Sequence, residues 1–188
     1  SLPAVRVDYT MSNTPVPLWW WRSVGNSQNG FIREHFTDEV ARAAGEDPLQ
    51  FRLERLGRFP GHRRVLERAA EMAGWEEPLG EGRGRGIAVV ECFGSTVAEV
   101  AEVTVADGRT VSVDRVVCAA DCGPVVNPDI LRQQMESGIA YGLSAMLHEA
   151  VTVARGQVEQ GNFDDYPILR AHQMPEIEVE LVEGQDSP

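Results

Sequence analysis

The sequence predicts an α+β fold: an antiparallel or mixed sheet with a long helix packed on it and a small helical layer beside it. Three observations carry that reading. Three short helical patterns occupy the first 75 residues. Three apolar stretches separated by turn signals follow between residues 86 and 119. A long helical pattern with a clear start signal then covers residues 129–148. Strands and helices alternate without a strict βαβ rhythm, which separates this class from a doubly wound sheet.

Taken in order, residues 4–10 alternate apolar and polar (Val5, Val7, Tyr9) and predict a strand. Residues 11–30 hold two prolines, three tryptophans, two glycines and three asparagines, which predict a long irregular loop. Loops of that length are usually functional or disordered, and the tryptophans argue against disorder. A helix follows over residues 31–44, where Ile32, Phe36, Val40 and Ala43 form one apolar stripe and Gly45 supplies the stop. Asp47-Pro48 starts a second helix carrying Leu49, Phe51, Leu53 and Leu56, which Gly57 stops. Pro60 opens a third, with Val65, Leu66, Ala69, Met72 and Ala73 on one face and Gly74 at its end. Residues 76–85 are a Gly- and charge-rich linker and the one internal boundary. It separates a loop and three-helix segment (1–75) from a β-meander, long helix and terminal strands (86–188). Its Gly-Arg-Gly-Arg run lacks the Lys-Ser/Thr of a phosphate-binding P-loop and reads as a solvated linker.

Beyond the linker, strands are expected at 86–93, 97–105 and 110–119, with Asp107-Gly108 as a hairpin turn. Glu99 interrupts the apolar face of the second strand. It is either a buried functional carboxylate or a residue at a sheet edge or rim, the edge being the commoner case. After the long helix come a short hairpin turning at Arg155-Gly156, a polar and aromatic loop at 162–167, and a last strand at 177–182.

The 188 residues are 43% hydrophobic and 24% charged, enough apolar material for a core of one domain or two small ones. A net charge of -12 argues against nucleic acid or an anionic membrane as partner, since both need Lys/Arg patches. No apolar run reaches membrane-spanning length. Cys92, Cys118 and Cys122 are odd in number and lack CxxC spacing, so they read as free thiols. No secretion signal stands at the N-terminus, and the compartment stays open.

Two places could carry chemistry. One is the end of the Trp-rich loop, Trp21-Arg22-Ser23-Val24-Gly25-Asn26-Ser27-Gln28. The other is Asp121-Cys122-Gly123 with the helix behind it, where Asn127 stands at the N-cap and Pro128 at the first helical position. A strand feeding a Gly turn and a helix N-terminus is a common anion site. The same signals also begin an ordinary packed helix, so both readings stand.

These two stretches resemble the large, molybdenum-binding subunit of the xanthine dehydrogenase/aldehyde oxidoreductase family, in particular its isoquinoline 1-oxidoreductase β-subunit type. The first is similar to the family's aromatic-Arg-Gly-x-Gly-x-x-Gln loop. The second, through Asn127-Pro128, Gln133-Gln134-Met135-Glu136-Ser137-Gly138, Gly142-Leu143 and Glu149, is similar to its DCG…NP…QxEG…GLG…E segment. Asn162-Phe163-Asp164-Asp165-Tyr166-Pro167 is a third, weaker match.

The resemblance implies a molybdopterin (cytosine) dinucleotide cofactor whose dithiolene, and not protein side chains, holds the molybdenum. It implies that Arg22, Ser23, Gly25 and Gln28 lie beside the metal, with backbone amides meeting cofactor oxygens. Gln134 would hydrogen-bond the pterin, and Gly123 and Asn127 would form the turn near it. Trp21 and Val24 would face the substrate, with Val24 where some members have a stacking aromatic. The implied reaction oxidises an N-heteroaromatic or aldehyde small molecule with water-derived oxygen, and the implied partner is a small two-iron-two-sulfur subunit. In the family the base is a glutamate in a Gly-x-Gly-Glu segment downstream of the matched part, beyond residue 188, so no catalytic residue is expected here. These residues alone are then expected to hold no cofactor tightly, to turn nothing over, and to self-associate through an exposed apolar patch. The alternative is a non-catalytic interaction or assembly module reusing the fold.

Overall fold

The computed structural model describes residues 4–14 and 16–182. Three helices come first: α1 (Asn26–Ala44), α2 (Pro48–Arg55) and α3 (Pro60–Met72). The strands β1 (Arg83–Cys92), β2 (Ser95–Ala106) and β3 (Thr110–Asp121) follow, then α4 (Pro128–Leu147), a two-residue hairpin β4 (Val153–Ala154) and β5 (Gln157–Val158), and β6 (Glu176–Leu181). The main sheet runs β1-β2-β3-β6, with β1, β2 and β3 antiparallel and β6 parallel to β3. The fold is therefore α+β with a mixed sheet.

Local chemistry sets most boundaries. The Asp47 carboxylate accepts from the amides of Leu49 and Gln50 and starts α2. Gly45 ends α1 with a φ of 71°, the left-handed turn that glycine takes without steric cost. Asp107 and Gly108 both have positive φ, as a two-residue hairpin requires.

The sheet is apolar on both faces. On one, Leu49, Val65, Leu66 and Ala69 of α2 and α3 pack on Ile87, Val89, Ala98, Val100 and Val117. On the other, Ile139, Met135 and Leu143 of α4 pack on Val116, Cys118, Ala120, Ile177 and Val179. The first core runs continuously from the helices preceding residues 76–85 into the strands after them.

Four expectations are corrected. Residues 4–10 are exposed and form no strand: neither edge of the main sheet, β1 or β6, pairs with them. Arg83–Arg85 belong to β1 rather than to a linker. The helix expected from residue 31 begins at Asn26. Its apolar stripe does not seek the core: Ile32 and Phe36 are 60% and 62% exposed. Polar side chains dock α1 instead. Glu34 accepts from the Val89 amide at 3.0 Å, and Arg33 donates to the Val89 carbonyl at 3.3 Å. Both are backbone groups of an edge strand, which would otherwise lack protein partners. Arg52, 4% exposed, bonds Glu34 at 3.0 Å and Asp38 at 2.6 Å.

Candidate functional site

The loop before α1 turns on two backbone bonds and one from a side chain. Val24 N–H donates to Trp21 O at 3.1 Å; Asn26 donates its amide (3.0 Å) and its side-chain Nδ2 (3.2 Å) to Ser23 O. The Ser23 and Ser27 hydroxyls hydrogen-bond to each other. Ser23 and Val24 sit in the left-handed region, at φ 68° and 56°. For a β-branched valine that conformation costs on the order of 1–3 kcal/mol, and such strain collects at binding sites. Gly25 occupies the N-cap with no side chain to offer, and no acidic residue stands in the first turn. The Ser27 and Gln28 amides consequently have no acceptor among the described residues. A helix start with free amides and a positive dipole end favours an anion.

Arg22 leans from this loop onto α4, its guanidinium 4.5 Å from the Tyr141 ring centroid. Gln134 precedes Tyr141 by seven residues, so it lies on the same outward side of α4 about 10 Å away. Gln134 is exposed. Between the two, the Cβ direction of Gly138 is open, and so is that of Gly142 next to Tyr141.

At the start of α4, Gly123 has a φ of 72° and donates its amide to Asp121 Oδ1 at 3.1 Å. Arg64 of α3 holds the other Asp121 oxygen at 2.7 Å. Asn127 Oδ1 accepts from Asp129 and Ile130, both at 3.1 Å, so this helix start is capped from within. From Asn127 to Tyr141 the exposed side of α4 spans roughly 20 Å.

The structure thus joins Arg22, Ser23 and Gly25 in one loop, continues it into Gln28 in the first turn of α1, and links that loop to α4 through Tyr141. Gly123 stands in the turn before α4, Asn127 at its N-cap and Gln134 within the helix. Trp21 and Val24 are each 58% exposed, and Trp19 and Trp20 more so. Sequence reasoning missed Tyr141; its spacing from Gln134 was the available signal. Farther along, Tyr166 donates to Glu149 at 2.9 Å, and the buried Ser144 hydroxyl accepts from Leu169, which ties the 161–170 segment to the end of α4.

The sheet carries one unusual carboxyl. Glu99 lies on interior strand β2, opposite Ala88 and Cys118, so the edge reading is overturned. Burial alone pushes its carboxyl up to about 7. Burial, and then the nearby Glu99, also push the Cys118 thiol upward. All three cysteines are free. Among the described residues no group of three His, Cys, Asp or Glu could hold a metal ion, and no helix is long and apolar enough to cross a membrane.

Comparison with known proteins decides the family. A family model described as the molybdopterin cofactor-binding domain matches residues 58–175, more than half of the chain. The chain belongs to that family. Its relatives include the beta chain of isoquinoline 1-oxidoreductase from Brevundimonas diminuta, 40% identical over 97% of this chain and 24% of that protein. One of the polypeptides of nicotinate dehydrogenase from Pseudomonas putida is 35% identical over 90% of this chain and 16% of that one. A membrane-bound aldehyde dehydrogenase of Gluconacetobacter polyoxogenes, named for pyrroloquinoline quinone, is 29% identical over 90% of this chain and 24% of the relative. The chain therefore spans about a quarter or less of each of these relatives.

Proposed function

We propose that these residues form one wall of the molybdopterin dinucleotide site in the catalytic subunit of a molybdenum hydroxylase that oxidises an N-heteroaromatic substrate. The observation that carries this reading is the open start of α1 behind the strained Ser23-Val24 turn. Free amide donors, a guanidinium and an exposed glutamine are what an anionic, hydrogen-bond-rich cofactor needs. The absence of a side chain at Gly25 leaves the first-turn amides open.

When bound, the cofactor supplies the redox centre and the oxygen chemistry, with oxygen drawn from water. The chain's own residues bind and orient. The amides of Ser27 and Gln28 receive anionic oxygens, and Arg22, held by Tyr141, adds a positive charge beside them. Gln134 offers both a donor and an acceptor to a pterin edge. Asp121 and Arg64 hold the Gly123 turn, and Asn127 fixes the direction of α4. Trp21 and Val24 border the place of the substrate, where Val24 offers an aliphatic contact rather than a stacking ring. The activating base would come from outside these residues, and a small two-iron-two-sulfur partner subunit would accept the electrons.

The test is cofactor loading. In the whole molybdenum subunit, the double variant R22A/Q134A should lose most of its molybdenum, measured by elemental analysis, while keeping its melting temperature. The 188-residue chain by itself should carry no stoichiometric molybdenum. Full loading of the double variant would contradict the reading.

A further inference from the structure

Helices α4 and α1 stand against different parts of the sheet. Met135, Ile139 and Leu143 of α4 pack beside β3 and β6, while α1 stands along the free edge of β1. Between the two helices, β1 and β2 border a trough of about 590 Å³. Small residues make its floor: Gly86, Ala88 and Ala101. Glu99 rises among them. One wall is Phe31 with His35, whose rings are stacked with centroids 5.7 Å apart and planes 4° apart. Met146 of α4 borders it as well, and the first turn of α1 opens onto it.

Glu99 differs from the other acids around this space. Glu34 and Asp38 also line it, but Arg52 holds both. Glu99 has no ion pair or side-chain hydrogen bond among the described residues. A carboxyl desolvated without a partner either keeps its proton or acquires a donor or acceptor from a ligand. The rest of the trough is shaped for a flat ring: a low floor and an aromatic wall of two parallel rings. Its volume lies in the range of small-molecule sites.

We propose that this trough binds a flat one- or two-ring aromatic heterocycle and that the Glu99 carboxyl holds its ring nitrogen. The site deepens the reading of the preceding section and rests on it for the choice of probe, but binding here requires no cofactor. A ring nitrogen of the pyridine type has a lone pair and no hydrogen, so it needs a donor. Burial holds the Glu99 carboxyl at about 7, so near neutral pH much of it is protonated and can donate. Above that value the carboxylate faces the lone pair and repels it. The other titratable groups facing Glu99 are Cys118 from β3 and Glu34, His35 and Asp38 from α1, with His35 itself 3.6 Å from Glu39. From α4 the trough receives the uncharged Met146.

Isoquinoline and naphthalene test this directly, because they share shape and differ by the nitrogen. With the 188-residue protein at pH 6.5, calorimetric titration should show isoquinoline binding about tenfold tighter than naphthalene, the worth of one neutral hydrogen bond. E99L should remove that difference, and E99Q, whose amide can donate, should keep it. Filling the floor with A88M should weaken both ligands. Between pH 6.5 and 8.5 the wild-type affinity for isoquinoline should fall by about tenfold as the carboxyl ionises, while E99Q stays flat. Should E99L fail to fold, the pH comparison with E99Q carries the test. Equal binding of the two ligands, an unchanged affinity in E99L, or no saturable binding would each overturn the proposal. None of these results depends on molybdenum, so failure of this site and failure of the cofactor reading are distinguishable.

Discussion

The two helices that begin in the candidate site start in opposite ways. Helix α4 is closed at its N-terminus, where Asn127 takes the amides of Asp129 and Ile130, and it is fastened by apolar packing of Ile139 on the sheet. Helix α1 has Gly25 at its N-cap, no side-chain cap and a leading turn with two residues at positive φ. It is fastened by polar pins from Glu34, Arg33 and Arg52. The contrast separates scaffold from site. Helix α4 takes up two of its leading amides with its own cap, whereas α1 keeps unsatisfied donors behind a strained turn and holds them in place from its middle. Unspent hydrogen bonds and strain in one turn are the marks of a binding element.

The largest expected effect comes from pulling the pins. Arg52→Met leaves Glu34 and Asp38 without their buried partner and should cost about 3–5 kcal/mol, read by urea denaturation. The α1 amide signals should broaden while those of α4 keep their positions.

Glu99 comes next and links stability to pH. Its folded-state value, about 7, lies above its unfolded one, so its contribution is fully present below about 4.3 and is lost as pH rises through 7. With allowance for water reaching the trough, Glu99→Gln should gain on the order of 2 kcal/mol over wild type at pH 8 and little at pH 4.

A smaller change tests the closed helix. Asn127→Ala removes the cap of α4 and should cost about 1 kcal/mol in thermal unfolding, with α4 still formed because its packing is untouched. The smallest change tests the open one. Gly25→Asp supplies α1 with a cap and should add roughly 0.3 kcal/mol to stability. The same variant should lower cofactor loading of the whole molybdenum subunit, since the new carboxylate occupies the amides.

The elements whose signals are short-range were legible in the sequence. Asp47, Gly45, Asn127 and the Asp107-Gly108 turn act through hydrogen bonds and φ preferences within a few residues, and each stands where the sequence places it. The fold class followed from their order. What failed needed long-range information. The stripe of Ile32, Phe36 and Val40 has the right period, but periodicity does not say which face is buried. That was decided by Arg52, 18 residues from Glu34. The start of α1 was missed because Ser23 and Val24 adopt a conformation that neither residue advertises. Glu99 could be placed on a sheet face from alternation alone. Its interior position depends on β2 lying between β1 and β3, and on β6 closing the far side. Of the candidate site, the Arg22 loop and the Gln134 helix were both found in the sequence, while their link through Tyr141 was not.

The central claim is that the open start of α1, and not the capped start of α4, receives the anionic part of the cofactor. Titration of the ¹⁵N-labelled protein with inorganic pyrophosphate, followed by amide chemical shifts, tests it most directly. Saturable shifts at Ser27 and Gln28, absent at Asp129 and Ile130 and abolished by Gly25→Asp, are the predicted result. Saturable shifts confined to the start of α4, or none at either helix, would contradict it.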